Sequence, residues 1–172
     1  VTSTYKALTL MGQPVTFISE RQLAEGQMPE TDLVMLPQAT RVKQPTVDAL
    51  AEYVQQGGTL VQVGKDALAF GEYNRPRQLP DALADIPRIV FSSITKDLKK
   101  RIRPLLSECD IQVYGVTDVD TGKPATGVEY RVVPYEGGYL VPMVNFEHDA
   151  QTVDLHLDGT ATDLLHHEEV DL

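Results

Sequence analysis

The strongest constraint on the fold is one block in the first third of the chain. Asp32-Leu33-Val34-Met35-Leu36-Pro37 is an apolar run closed by proline. It does not alternate, as expected of a strand covered on both faces. A helical stretch from about Pro45 to Gln56 follows, with Val47, Leu50, Ala51 and Val54 at i, i+3, i+4 and i+7. Proline near its start and Gly57 after its end suit the two helix termini. Gly57-Gly58 then opens Thr59-Leu60-Val61-Gln62-Val63, a second buried strand. Two such strands joined by a helix form a right-handed βαβ unit of a parallel sheet. In catalytic proteins of this architecture the turn after the second strand carries a nucleophile. Here it reads Gly64-Lys65-Asp66-Ala67-Leu68, with neither Cys nor Ser.

The flanking segments extend the pattern. Tyr5, Leu8, Leu10 and Met11 suit a helix stopped by Gly12, and Pro14–Ile18 a short strand. Ser19 with Gln22 is a capping-box pair for a short helix through about Glu25, ended by Gly26. Helix, strand, helix, strand, helix, strand predicts a doubly wound, mostly parallel α/β sheet. Phe70–Pro87 reads as a long loop. Ile94, Leu98, Ile102, Leu105 and Leu106 mark a further helix capped by Ser93 or Thr95, and Ile111–Val116 a fourth strand. Asp118–Gly127 is a polar linker.

Beyond the linker the period changes to two. Val128, Tyr130 and Val132 alternate with polar or small residues; Tyr139–Asn145, Val153–Leu157 and Ala161–Leu165 follow, with turns at Glu136-Gly137-Gly138 and Asp158-Gly159. Short strands between glycine turns predict a small antiparallel sheet. The expected division is therefore an α/β domain over 1–122 and a small, truncated antiparallel β domain over 123–172. The second is too short for much of a core, so it is expected to lean on the first or on sequence outside this chain.

Charge follows the same division. Of the formal −10, residues 1–124 contribute 15 acids and 14 bases, and residues 125–172 contribute 10 acids against Arg131 alone. Phosphate binding needs Lys and Arg on one face, so nucleic acid and anionic membrane are excluded as main partners. Among 172 residues, no apolar run approaches the roughly 20 of a membrane span. The start lacks both Met and a signal-peptide pattern, and Val170-Asp171-Leu172 lies in a strand-like pattern. The expectation is a piece of a longer protein, with a cytoplasmic location slightly favoured.

Candidate chemical groups are few. Cys109, the single cysteine, stands between Glu108 and Asp110, which oppose a thiolate. His166-His167-Glu168-Glu169 has metal-ligand residue types, but neighbours on a strand point to opposite faces, so a hairpin turn is the expected role. Glu168 and Glu169 fail as a glycosidase pair for the same reason. Lys96, Lys99, Lys100, Arg101 and Arg103 form a basic run on a helix, either a solvated face or an interface with an acidic surface. Gly57-Gly58 precedes a strand rather than a helix, so it is no dinucleotide cradle. Arg75-Pro76-Arg77 could clamp a carboxylate or a neighbouring subunit, or simply form surface loop. No catalytic, cofactor-binding or metal-binding residue is assigned.

These motifs carry a resemblance. The Asp32–Pro37 block, its helix and Gly57-Gly58-Thr59-Leu60-Val61 resemble the class I glutamine amidotransferase-like, flavodoxin-like fold. More specifically, Tyr5-Lys6-Ala7-Leu8, Gly12-Gln13-Pro14-Val15 with Phe17, and Pro37-Gln38-Ala39-Thr40 resemble the non-catalytic trimerisation domain of β-galactosidases of glycoside hydrolase family 42. So does Phe70-Gly71-Glu72-Tyr73-Asn74-Arg75-Pro76-Arg77, with Asn74 where glycine is expected. Thr126-Gly127-Val128-Glu129, Val144-Asn145 and Asp163-Leu164-Leu165 resemble the small C-terminal β domain of those enzymes, while 78–107 match poorly. In that family the catalytic carboxylates sit on an N-terminal (β/α) barrel, which this chain does not show. The resemblance implies a non-catalytic assembly fragment that self-associates, as a trimer, and docks on a catalytic barrel outside this chain. Two other readings stand beside it. An amidotransferase-like hydrolase would need Cys109 or a Ser such as Ser92 beside a histidine. A carbohydrate-binding module is disfavoured by the absence of Trp and only 6% aromatics.

Overall fold

The computed structural model describes residues 1–157 and 160–170, with only the backbone of 169 and 170. The expected turn at Asp158-Gly159 and the chain end at Asp171-Leu172 lie outside the described residues. The chain divides into two compact units. One comprises Val1–Ala7 and Val15–Ile111, the other Leu8–Pro14 and Gln112–Leu172.

The helices are α1 (Thr2–Thr9), α2 (Glu20–Ala24), α3 (Gln44–Gln55) and α4 (Thr95–Glu108). All four stop in the same way. After α3, the Gly57 amide donates to Val54 O and the Gly58 amide to Tyr53 O, both at 3.0 Å. This is the paired closure of a Schellman motif, and it needs a left-handed residue, met by Gly57 at φ 98°. Gly12, Gly26 and Asp110 take the same seat after α1, α2 and α4. At the other end of α2, Ser19 and Gln22 form the expected capping box. The start of α4 differs from expectation. Ile94 is its N-cap, and the Ile94 amide donates to Ser92 Oγ at 3.1 Å.

In the first unit β1 (Leu33–Pro37), β2 (Thr59–Val63) and β3 (Arg88–Ile89) form a parallel sheet in the order β1-β2-β3. Leu33 faces Thr59 and Pro37 faces Val63 across the first pair. Strand β3 is only two residues long, opened by Pro87, whose carbonyl receives the Gln62 amide at 2.8 Å. On one face Val34, Leu36 and Leu60 pack with Val47, Leu50, Ala51 and Tyr53 of α3 and with Leu68 and Leu83. Each fully buried leucine here contributes about 1.5–3 kcal/mol relative to an exposed one. Val61 and Val63, on the alternate face, are also fully buried, as are Leu98, Ile102 and Leu106 along α4.

Two expected strands are not formed. Pro14–Ile18 joins no ladder among the described residues, because its apolar side chains serve other contacts. Phe17 lies against Tyr5, ring centres 5.5 Å apart, and Ile18 packs on the α3 side of the sheet. Of Ile111–Val116, only Val116 is in a strand. It begins β4 (Val116–Asp118), which pairs antiparallel with β9 (Val153–Leu155) in the second unit rather than extending the parallel sheet.

The second unit is a set of two-stranded antiparallel ladders rather than one continuous sheet. Besides β4 with β9, β5 (Val128–Tyr130) pairs with β8 (Met143–Asn145), β6 (Val133–Tyr135) with β7 (Gly138–Leu140), and β10 (Ala161–Asp163) with β11 (Glu168–Val170). The expected single strand Tyr139–Asn145 is split around Pro142, which has no amide to give a ladder. Val116, Val128, Tyr130 and Val132 form the core. The segment Leu8–Pro14 belongs to this unit. The Val132 amide donates to Gly12 O (3.4 Å), Gln13 Nε2 donates to Gln112 O (2.9 Å), and the Tyr130 ring lies directly against Gly12. The Tyr130 hydroxyl donates to Tyr114 O at 2.7 Å, which fixes the ring in place.

Candidate functional site

In open α/β sheets ligands bind beyond the carboxyl ends of the strands. In this protein that edge is made by 38–43 after β1 and 64–77 after β2. The Gln38 amide donates to Val63 O at 2.9 Å, which carries the ladder one residue past β1. The Leu68 amide then donates to Ala39 O (2.7 Å), Phe70 to Thr40 O (3.0 Å) and Val42 to Phe70 O (3.1 Å). The two loops are thus zipped together. Gln38 takes φ 55° and its side chain lies over Gly64, where an added Cβ would stand 3.1 Å from Gln38 Cγ.

The Gly64–Leu68 turn is tight. Gly64, Asp66 and Leu68 all have positive φ, at 112°, 56° and 62°. The Gly64 amide donates to Ile89 O, the Leu68 amide to Ala39 O and the following Ala69 amide to Asp66 O. Oxyanion stabilisation needs backbone donors free to face a substrate. These three face carbonyls, and the exposed side chains at the tip are Lys65 and Asp66.

Loop 70–77 folds back on the same edge. Asn74 has φ 58°, the left-handed seat that glycine fills most readily and Asn tolerates. Its Oδ1 accepts from Arg41 Nε at 2.9 Å. Arg77 and Arg75 do not act as a pair: Arg77 Nη2 donates to Val42 O at 2.7 Å and Nη1 is buried, whereas Arg75 is exposed. Lys43 reaches Glu72 at 3.5 Å, and Glu20 Oε2 accepts the Lys43 amide, so the edge is cross-linked by polar contacts from end to end.

The other candidates are dispersed. Cys109 is the C-cap of α4, half-buried, its amide donating to Leu105 O and Leu106 O. That is the opposite end of a helix from the one a catalytic thiol uses. Ser92 Oγ accepts the Ile94 amide and donates to Asp97 Oδ2 at 3.4 Å, shaping the start of α4. His166 lies in the turn between β10 and β11. Its Nδ1 is 2.6 Å from Asp163 Oδ2, while Asp163 Oδ1 accepts the amides of Leu165 and His166. These bonds, the His166 side chain first, hold the Asp163 carboxyl down at about 2. His167 takes φ 58° in the same turn, and Glu168 starts β11 with its side chain exposed. His156 packs over Gly115, with Nε2 3.1 Å from Thr117 Oγ1. Among the described residues no three His, Cys, Asp or Glu side chains are grouped to hold a metal ion. None of their helices is long and apolar enough to cross a membrane.

No family model matches the chain, and no curated protein is significantly similar to it in sequence. Solved structures are similar over almost its whole length. An exo-carrageenase GH42 from Bacteroides ovatus matches 99% of this chain with TM-score 0.70 and 18% identity. Gan42B, a GH42 β-galactosidase, matches 98% with TM-score 0.68 and 15% identity. A catalytic mutant of Gan42B from G. stearothermophilus matches 98% with TM-score 0.70 and 16% identity. The chain spans 24% of the first of these enzymes and 33% of the other two. At these identities the likeness is one of fold: this chain has the fold of one portion of GH42 glycoside hydrolases.

Proposed function

We propose that this chain is a non-catalytic assembly portion of a glycoside hydrolase of the β-galactosidase type. The observation that carries the reading is the asymmetry of the structural likeness. It takes in 98–99% of this chain but only a quarter to a third of the enzymes it resembles. On this reading the parallel β1-β2-β3 layer is a class I amidotransferase-like, doubly wound domain reduced to scaffold. The Gly64–Leu68 turn supports that, since it holds neither Cys nor Ser and is tied to the loop from β1 by the Leu68 amide to Ala39 O. The partners are further copies of the chain, forming a trimer, and a catalytic (β/α) barrel. The small β part over 123–172 is the second domain of the same assembly.

The test is turnover by the pure protein. The chain hydrolyses no chromogenic galactoside and releases no ammonia from glutamine. Turnover of either substrate that disappears on Cys109→Ala or Glu168→Gln would overturn the reading.

A further inference from the structure

Residues 1–111 are electrically balanced, with 13 acids and 13 bases. Five of those bases crowd into residues 96–103 of α4, beside one acid, Asp97. Lys96, Lys100 and Arg103 fall at i, i+4 and i+7, a single stripe about 10 Å long by helical rise. Leu98, Ile102 and Leu106 make the buried face of the helix, and half-buried Lys99 falls between that face and the stripe. Lys96, Lys100, Arg101 and Arg103 are exposed, and among the described residues none of the four forms an ion pair. Asp97 is engaged off the stripe, where its Oδ2 accepts from Ser92 Oγ at 3.4 Å. The crowding is felt at Lys99, whose ammonium is pushed below the usual lysine range, by burial first and by Arg103 second.

The stripe is polar along its whole length, and its next member, Ser107, is an exposed hydroxyl. That narrows what it can hold. A protein partner buries an apolar core at its contact. Single-stranded nucleic acid is held by aromatic rings on which its bases stack. The stripe carries no apolar side chain, and α4 contains no aromatic residue. Lys- and Arg-rich runs of this length attract polyanions by charge density. A row of cations without apolar neighbours fits a linear, hydrophilic polyanion.

We propose that the Lys96-Lys100-Arg103 stripe, flanked by Lys99 and Arg101, holds a sulfated polysaccharide chain lying along α4. The inference rests on the reading of this chain as a portion of a glycoside hydrolase, which makes a glycan the polymer at hand. It adds the class of glycan, held here without being cleaved. Sulfate esters stay anionic at neutral pH and accept charge-assisted hydrogen bonds from ammonium and guanidinium groups. Anions repeating along a linear chain match cations repeating along one side of a helix. Each Lys or Arg that neutralises a charge of the polymer also releases a condensed counterion, so the affinity depends on salt.

The experiment is calorimetric titration of the whole chain with heparin, an unsulfated galactan, a short DNA duplex and polyglutamate. Two variants are compared with the wild type. One carries Lys96→Glu, Lys100→Glu and Arg103→Glu; the other carries Lys65→Glu, Arg75→Glu and Lys123→Glu, the same change of net charge away from α4. All six positions are exposed, and circular dichroism checks that each variant keeps its fold. The wild type binds heparin, more weakly as salt is raised, and does not bind the unsulfated galactan. The α4 variant binds heparin at least about tenfold more weakly, because like charges then meet along the stripe. The control variant changes the affinity by less than about threefold, since distant exposed charges are screened. No heparin binding by the wild type, an unaffected α4 variant, or equal losses in both variants overturns the inference. DNA or polyglutamate bound as tightly as heparin overturns it too, in favour of a nucleic acid or an acidic peptide. A failed titration leaves the non-catalytic reading standing, whereas galactoside turnover by the wild type sinks that reading whatever heparin does.

Discussion

The turn that joins α3 to β2 depends on Gly58 having no side chain. Tyr53 is 8% exposed, and its ring lies against Gly58 so closely that a Cβ there would overlap Cε2 and Cζ. The ring cannot swing aside freely, because its hydroxyl donates to Thr31 O at 3.0 Å and lies 3.4 Å from Thr59 O. Burial, with the nearby Asp32 carboxylate second, also pushes the Tyr53 hydroxyl above its usual range, so it stays a donor. Gly58, unlike Gly57, does not have positive φ, so alanine meets no backbone penalty there and the cost is steric. Overpacking of this kind costs about 1–3 kcal/mol. Displacing the ring forfeits a hydrogen bond worth about 1 kcal/mol more. Gly58→Ala is therefore expected to destabilise the protein by roughly 2–4 kcal/mol, the sum of the two. Urea unfolding followed by far-UV circular dichroism reports this unit, since α2, α3 and α4 all lie in it. The decisive comparison is the same substitution in a Tyr53→Leu background, which has no atoms where Cε2 and Cζ lie. There the alanine should cost less than about 1 kcal/mol, a coupling within the range found for residues in contact. Equal costs in the two backgrounds would refute the steric argument.

Three further outcomes follow from particular contacts. The Asp163 carboxyl titrates at about 2 instead of the ordinary 3.8, so the β10–β11 turn gains stability above about pH 4 and loses it as pH falls toward 2. An NMR carboxyl titration reads this directly, and Asp163→Asn should abolish the pH dependence of the turn; a midpoint near 3.8 contradicts it. At Asn74, glycine should be tolerated within about 0.5 kcal/mol, whereas alanine should cost about 1–2 kcal/mol in thermal unfolding, because its left-handed backbone disfavours a Cβ and the Arg41 bond is lost. Tyr130→Phe should cost about 1 kcal/mol through the lost bond to Tyr114 O, and Gly12→Ala more than that, since it meets both the Tyr130 ring and a backbone at φ 74°.

Much of the first unit could be read from local pattern. The Leu33–Leu36 run, the Val47–Val54 stripe and Thr59–Val63 sufficed for β1, α3 and β2, because each signal lies within one element. Gly12, Gly26 and Gly57 marked three helix ends, whereas Asp110 did the same for α4 with a much weaker sequence signal. What escaped depends on distant partners. Gln13 bonds Gln112, 99 residues away, so nothing near Leu8–Pro14 announces that it belongs to the second unit. Two residues of β3 are too few for any period, and the apolar residues of Pro14–Ile18 look strand-like whether or not a neighbour pairs with them. At the candidate site, the residue types of the Gly64–Leu68 turn could be read directly. That Gln38 and Ala39 lie against the turn could not, because the contact comes from the crossing of two loops rather than from either loop's sequence. Arg75 and Arg77 show the same limit: one spacing, but one side chain inside and one out.

The central claim is that catalysis resides in a part of the protein outside this chain. Reading the coding sequence upstream of Val1 tests it most directly. The account predicts an in-frame (β/α) barrel carrying two catalytic carboxylates. An upstream region that encodes no such barrel would contradict it.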